Sequence, residues 1–510
     1  MAKELKHIDI SSAERKIILS LIETHLPNTT VWAYGSRATW SARPKSDLDL
    51  VAFASADQKN AVYDLKEAFE ESDLPFRVDF FVWDNVPDEF RGNIERDRVV
   101  LVEGKTDWPE TALADLAEYV TVGFVGSMAS EYTESGITFL RSQNVVPFNI
   151  KFEDVKYISP EFHKKISKSS LQHGDVVIVR TGKPGACAVI PENIGECNCS
   201  DLVIVRPSDR LDSRFLCYYV NSVTGQYVNA HLVGAVQQHF NVGSAKKMKI
   251  PLPPLKTQKA IAHILGTLDD KIDLNRRMNE TLEAMAQAIF KSWFVDFDGC
   301  TEFEDSELGR VPKGWRVAKI GDEISVVGGG TPATKNKDFW EGGTIHWTTP
   351  KDLSQSKEKL LLTTGRRITS KGLAKISSGL LPVNTVLLSS RAPVGYLALA
   401  KVPVAVNQGY IAMKCDKDIS PEYVIQWCNS IMGEIKNRAS GTTFAEISKK
   451  NFRNISVLVP EPNILKKYSD IVAGYYDKIY ANCKESQNLE LIRDSLLPKL
   501  ISGSLDLGGK

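Results

Sequence analysis

Between Pro251 and Phe294 the apolar side chains Ile261, Ile264, Leu268, Met278, Leu282, Met285 and Ile289 recur at helical steps, with Lys271 and Asn275 interrupting the stripe once each. That period predicts one long helix carrying a coiled-coil seam. Pro251, Pro253 and Pro254 mark its start, since a helix interior excludes them, and Thr257 can cap the first turn. About 40 residues at ~1.5 Å rise give a rod of ~55–60 Å, longer than a globular domain needs and longer than one turn of duplex DNA. An apolar stripe of that length requires a partner. The stretch from Ile464 to Gly503 has the same character and is entered through VLVPEP, much as the first is entered through KIPLPP. Together they predict an antiparallel coiled coil, with Asn275 at an otherwise apolar position to fix its register.

The likeness extends backwards from the helices. LQHGDVVIVRTGKPG at Leu171–Gly185 answers LPVNTVLLSSRAPVG at Leu381–Gly395, and YYVNS at Tyr218 answers QWCNS at Gln426. The spacing stays near 210 residues, and register kept over so many segments predicts two copies of one module. Each copy reads as a mixed, strand-rich domain leading into its helix.

A different pattern occupies the front of the chain. VWAYGSRATWSARPKSDLDLVAF reads as strand, glycine turn, helix start and second strand. Gly35 lets the backbone approach a phosphate closely, Ser36 adds a hydroxyl, and a helix N-terminus there would favour an anion. Asp47 and Asp49 alternate along the second strand, so both carboxylates should leave one face. Asp79, in FRVDFFVW, lies on a further apolar strand expected beside it. Three acids around Mg²⁺ next to a Gly-Ser cradle are what nucleotidyl transfer requires.

The 510 residues suffice for three or more domains, 43% of them are apolar, and the formal net charge is zero. Neutrality argues against a polyanion-binding surface over the whole molecule and leaves room for a basic face balanced elsewhere. MAKELKHIDI is too charged for a signal peptide, and no apolar run approaches the ~20 residues of a membrane span. A cytoplasmic protein with no membrane partner is expected. Cys187, Cys197, Cys199 and Cys217 lack the paired spacing of a zinc knuckle and are expected as buried thiols.

GSRATWSARPKSDLDL followed by VDFF resembles the minimal nucleotidyltransferase family, of the polymerase-beta-like fold, over about a fifth of the chain. The resemblance implies that Gly35 and Ser36 bind nucleotide and that Asp47, Asp49 and Asp79 are the catalytic, metal-holding acids. It further implies Mg²⁺ and ATP as cofactors, often with AMP passing to a protein. The strings of the two modules look like the target-recognition domains of the specificity subunit of type I restriction-modification enzymes, over nearly all of residues 108 to 505. That resemblance implies double-stranded DNA, methyltransferase subunits gripping the helices and a restriction-translocase subunit as partners. S-adenosylmethionine and ATP would then be used by those partners. This chain has no GxxxxGKS/T loop, helicase set or Asn-Pro-Pro-Tyr motif, so its recognition part is expected to do no chemistry.

Base edges are read by Arg or Lys on guanine and by Asn or Gln on adenine, while Lys, Ser and Thr hold phosphates. Such side chains in the expected loops are Arg141, Gln143, Asn144, Arg180, Lys183 and Gln238 in the first module. In the second they are Trp347, Thr348, Lys351, Arg391 and Gln408. One good bidentate contact discriminates by ~1–3 kcal/mol, so a module reading a few base pairs supplies roughly 3–10 kcal/mol. Rejecting ~10⁶ competing genomic sites needs roughly 8 kcal/mol, which makes one module marginal and two sufficient.

The expected fold is α+β, with a nucleotidyltransferase-like domain over 1–105 and target-recognition domains over 106–250 and 313–460. Long antiparallel helices cover 251–297 and 461–505, with a linker over 298–312. The expected function is recognition of a bipartite DNA target for adenine methylation and ATP-dependent cleavage by partner subunits. The alternative is a nucleotidyltransferase whose repeat modules bind its protein target.

Overall fold

The computed structural model describes residues 8–54, 58–102, 104, 108–223, 240–355, 358–391, 393–440 and 445–505. Two compact units form: Met1–Asp270 with Leu489–Lys510, and Lys271–Asn488.

The first unit opens with α1 (Ser12–His25), β1 (Val31–Tyr34), α2 (Gly35–Ala38), β2 (Leu48–Ala52), α3 (Lys59–Glu70), β3 (Val78–Val82), α4 (Asp88–Asp97) and β4 (Val99–Val102). A reciprocal cap starts α1: Ser11 Oγ accepts from the Glu14 amide and the Glu14 carboxylate accepts from the Ser11 amide. The strands make one sheet in the order β3-β2-β1-β4, with β2 antiparallel to β1 and parallel to β3. Alternation sends Val31, Ala33, Leu48 and Leu50 into a core shared with Ile18 and Ile22 of α1 and Val62, Leu65 and Phe69 of α3. On the other face Trp32, Tyr34 and Val51 pack with Ile94 of α4.

The duplication read from the sequence is present in four strands of one sheet in each module. In the first module Cys187–Val189, Val176–Val179, Leu202–Pro207 and Ala117–Val122 lie in that order in one sheet. In the second, Leu397–Ala400, Val386–Ser389, Tyr410–Lys414 and Ser325–Val327 repeat the order, with Leu360–Leu361 added at the outer edge. The central strands VVIV and VLLS are buried at every position, which explains why they read as unbroken apolar runs. YYVNS and QWCNS lie on equivalent helices, Ser213–Val223 and Pro421–Ser430, that pack on these sheets. Cys187, Cys197, Cys199 and Cys217 are buried.

Each module ends in a helix of 40 residues, Leu255–Phe294 and Pro462–Ile501. The first already begins at Leu255, so Thr257 sits inside the opening turn and does not cap it. In the second unit Asn275 bonds Glu485, Asn279 bonds Asn482, and the Phe294 ring meets Tyr468. Rising numbers meet falling ones, so the pair is antiparallel. Its inner line differs from the expected seam. Ile261 is fully buried, but Ile264, Leu268, Met278, Leu282 and Ile289 are only partly covered and Met285 is exposed. In the second unit the line runs through Asn275, Asn279, Ala286, Phe290 and Phe294. Its first half is polar and bonded across the pair, which an apolar count cannot find. Among the described residues no helix is long and apolar enough to cross a membrane.

Candidate functional site

The pairing of β1, β2 and β3 builds the N-terminal site. Tyr34 at the end of β1 stands opposite Asp49 on β2, and Asp79 on β3 is the register partner of Asp49. Asp47 lies just ahead of β2, whereas alternation had put it on the strand. Partial burial, then the carboxylates of Asp79 and Asp47, push the Asp49 pKa up to about 6. Burial first, then the carboxylates of Asp49 and Asp79, push the Tyr34 phenol up to about 12. Arg77 Nε holds Asp79 Oδ1 at 3.1 Å in a largely exposed pair. Among the described residues no His, Cys, Asp and Glu side chains stand ready-gathered as a metal cage. Asp79 and Asp47 are near enough to raise the proton affinity of Asp49, and a hard divalent cation relieves that crowding. The donor set therefore fits such an ion.

Gly35 has φ +74°, and a Cβ there would fall 2.3 Å from Asp49 Oδ2. Only glycine lets the backbone lie against that carboxylate. The helix expected to begin here is a single turn, Gly35–Ala38, with Ser36 partly exposed within it. Buried Arg37 fixes the following loop from below. Its guanidinium donates to Ser46 O at 3.0 Å and Asp9 O at 2.8 Å and lies 3.9 Å from the Phe76 ring centroid. Sequence reasoning passed over Tyr34, Arg37 and Trp40, although their position around Gly35 and Ser36 was a usable signal.

The polar residues of the first module divide by what holds them. Arg141 and Gln143 both bond the Asp154 carboxylate, at 3.1 and 2.9 Å. Asn144 is buried; its Oδ1 accepts from the Arg141 amide and its Nδ2 donates to Lys151 O. It shapes the loop and, as placed, cannot reach a base edge. Arg180 pairs with Asp201 at 3.1 Å. Lys183 is exposed, and among the described residues no carboxylate pairs with it. Gln238 lies outside the described residues.

In the second module Trp347 and Thr348 are likewise turned inward, correcting the expectation that they face DNA. Trp347 Nε1 donates to Gly330 O at 3.1 Å, and Thr348 Oγ1 lies 3.1 Å from the Tyr410 hydroxyl. Lys351 is exposed, Arg391 is half-exposed, and Gln408 Oε1 accepts from Thr331 Oγ1 at 2.6 Å at the surface. Two arginines escaped the sequence reading. Arg366 lies 3.6 Å from the Trp340 ring centroid, and Arg367 stands opposite His346 on paired strands. Burial first, then the positive charge of Arg367 and Lys484, lowers the His346 pKa.

Over residues 106–284 and again over 312–491 the sequence matches the family described as "Type I restriction modification DNA specificity domain". Over residues 16–107 it matches the family described as "Polymerase beta, Nucleotidyltransferase". It is 35% identical over 202 residues to the type I restriction enzyme MjaIX specificity subunit of Methanocaldococcus jannaschii, a match spanning 39% of this chain and 46% of that protein. To the type I restriction enzyme HindI specificity subunit of Haemophilus influenzae it is 23% identical over 471 residues, covering 78% of this chain and 100% of the other. The front of the chain is 42% identical over 108 residues to the probable protein adenylyltransferase MntA of Haemophilus influenzae, covering 21% of this chain and 95% of the other.

Proposed function

The chain belongs to the type I restriction-modification DNA specificity family, with a nucleotidyltransferase domain of the polymerase-beta type at its front, and from that premise we propose that its two modules read the halves of a split DNA target. The observation that carries this reading is the doubling: one strand order in both modules, each closed by a helix of 40 residues. A repeated reading head suits two short half-sites with unread base pairs between them. Adenine methylation with S-adenosylmethionine and ATP-driven cleavage then fall to methyltransferase and restriction-translocase partners in the cytoplasm. The recognition domains are taken as 106–250 and 313–460, served by helices over 251–297 and 461–505. Lys183, Lys351 and Arg391 are the candidates for phosphate or guanine, with Gln143 and Gln408 for adenine. Selection of random duplex pools by the full chain, followed by footprinting, tests this. Two short motifs at fixed spacing are expected, and sequence-blind binding would overturn the reading.

For the N-terminal domain, over 1–105, the register pairing of Asp49 with Asp79 and the press of Gly35 against Asp49 favour nucleotidyl transfer from ATP. Asp47, Asp49 and Asp79 would hold a divalent cation, while Gly35 and Ser36 would hold phosphates. A bound cation supplies charge neutralisation to the triphosphate. Asp49 gives up a proton held to about pH 6 when such an ion is present, and the Tyr34 phenol beside it stays protonated. Incubation with labelled ATP and Mg²⁺, beside an Asp47→Ala, Asp49→Ala double variant, tests the reading. Labelling of a protein that the variant abolishes is expected; labelling equal in both would overturn it.

A further inference from the structure

His346 stands directly opposite Arg367 where the strands Ile345–Thr348 and Arg366–Ile368 pair. Positive groups facing one another across a strand pair repel. A third cation comes from the long helix Pro462–Ile501. Lys484 is half-buried there, its ammonium lies 5.9 Å from the Tyr480 ring centroid, and its charge reaches the imidazole. Thr364 Oγ1, 3.1 Å from His346 Nδ1, brings no charge to the group. Lys401, 6.0 Å from the same Tyr480 ring, pairs with Asp477 at 3.8 Å, but among the described residues no carboxylate pairs with Arg367 or Lys484. With its pKa lowered by burial and by these two cations, His346 is neutral at pH 7.

Folding does not require this crowding. The first module builds the same strand pair, Ile137–Leu140 with Lys156–Ile158, and sets neutral Thr138 and Tyr157 opposite one another at the matching positions. The parallel neighbour matches as well, since Cys197 lies beside Thr138 as Val404 lies beside His346. The second module thus gathers positive charge that its twin omits, on a partly buried surface where water screens it incompletely, and an anion would relieve the repulsion.

We infer that Arg367, Lys484 and His346 together hold a backbone phosphate of duplex DNA bound to the second module. The inference rests on the DNA reading of the two modules and adds to it a contact from the long helix. Phosphate oxygens accept from the guanidinium and the ammonium, and their negative charge favours the imidazolium, so His346 takes up a proton from solvent as the DNA arrives. A phosphate contact positions the duplex and reads no base.

The test measures binding of the full chain to a duplex carrying the selected target, between about pH 5.5 and 8 and over a salt series. Affinity is expected to fall by up to about tenfold per pH unit as His346 loses the proton that the phosphate holds on it, and His346→Gln should remove that dependence. Arg367→Gln and Lys484→Gln should each reduce the slope of log affinity against log salt by about one, with both selected motifs unchanged. In the DNA-free chain either substitution should raise the titration midpoint of His346 read by NMR, which also shows the variant folded with the histidine in place. A midpoint unmoved by both, salt slopes unmoved by both, or an equal pH dependence in His346→Gln would each overturn the inference. So would inorganic phosphate that displaces the duplex from the parent chain, but not from His346→Gln, beyond chloride at equal ionic strength, because the site would then belong to a free anion. If the parent chain binds no duplex, the DNA reading falls together with the inference, a result distinct from all the others.

Discussion

Asn482 donates its side-chain amide to Asn279 Oδ1 at 2.9 Å across the helix pair, and both residues are buried. Asn275 nearby is wholly buried and donates to Glu485 Oε2 at 2.8 Å. Apolar side chains would slide past one another at little cost; these bonds are satisfied in one register only.

Removing one partner should therefore hurt more than removing both. Asn279→Leu strands the Asn482 amide and is expected to lower stability by about 1–3 kcal/mol, whereas Asn279→Leu with Asn482→Leu should recover most of the loss. Denaturant melts of the single and double variants supply the cycle. Additive losses would contradict a direct coupling.

Asp49 carries a pH signature. Its folded pKa of about 6 lies above the ordinary 3.8, so between those values the folded state binds the extra proton and stability falls as pH rises. The penalty is complete above about 6 and absent below 3.8. Asp49→Asn should thus raise the melting temperature at pH 8 and leave it unchanged at pH 3.5. Mg²⁺ at pH 8 should stabilise the parent chain and have much less effect on the variant. A variant that gains equally at both pH values would rule out titration of this carboxyl as the cause.

Gly35→Ala forces a Cβ to within 2.3 Å of Asp49 Oδ2 at φ +74°. The expected loss is about 1–3 kcal/mol of stability in the N-terminal domain, together with its nucleotide binding. Calorimetry with and without Mg·ATP reads both. The substitution should leave affinity for DNA untouched.

Among the DNA candidates the fold separates free side chains from committed ones. Lys183→Ala and Lys351→Ala should each reduce the slope of log affinity against log salt by about one, with little change in sequence preference. Asn144→Ala should instead destabilise its loop by about 1–3 kcal/mol, because the carbonyl of Lys151 and the amide of Arg141 lose their partner. Fluorescence titrations over a salt series and thermal melts distinguish the two kinds of effect.

Much of this architecture was legible in the sequence because it rests on period and repetition. The alternation in VWAY and LDLVA gave strands, the apolar run VDFFV gave the neighbour that sets Asp79 beside Asp49, and the echo of YYVNS in QWCNS gave the second module. The inner line of the helix pair was only partly legible: Asn275 stood out at an otherwise apolar position, whereas Asn279 looks like a surface residue until its partner Asn482 on the other helix is known. Trp347 and Thr348 were misjudged for a related reason: Gly330 and Tyr410, which turn them inward, are distant in the chain.

Both members of the antiparallel pair come from a single polypeptide, so neither can be diluted away from the other. Their association is a first-order event whose equilibrium ignores protein concentration, unlike that of a dimeric zipper. A cell holding only a few copies of this chain would therefore keep every copy assembled.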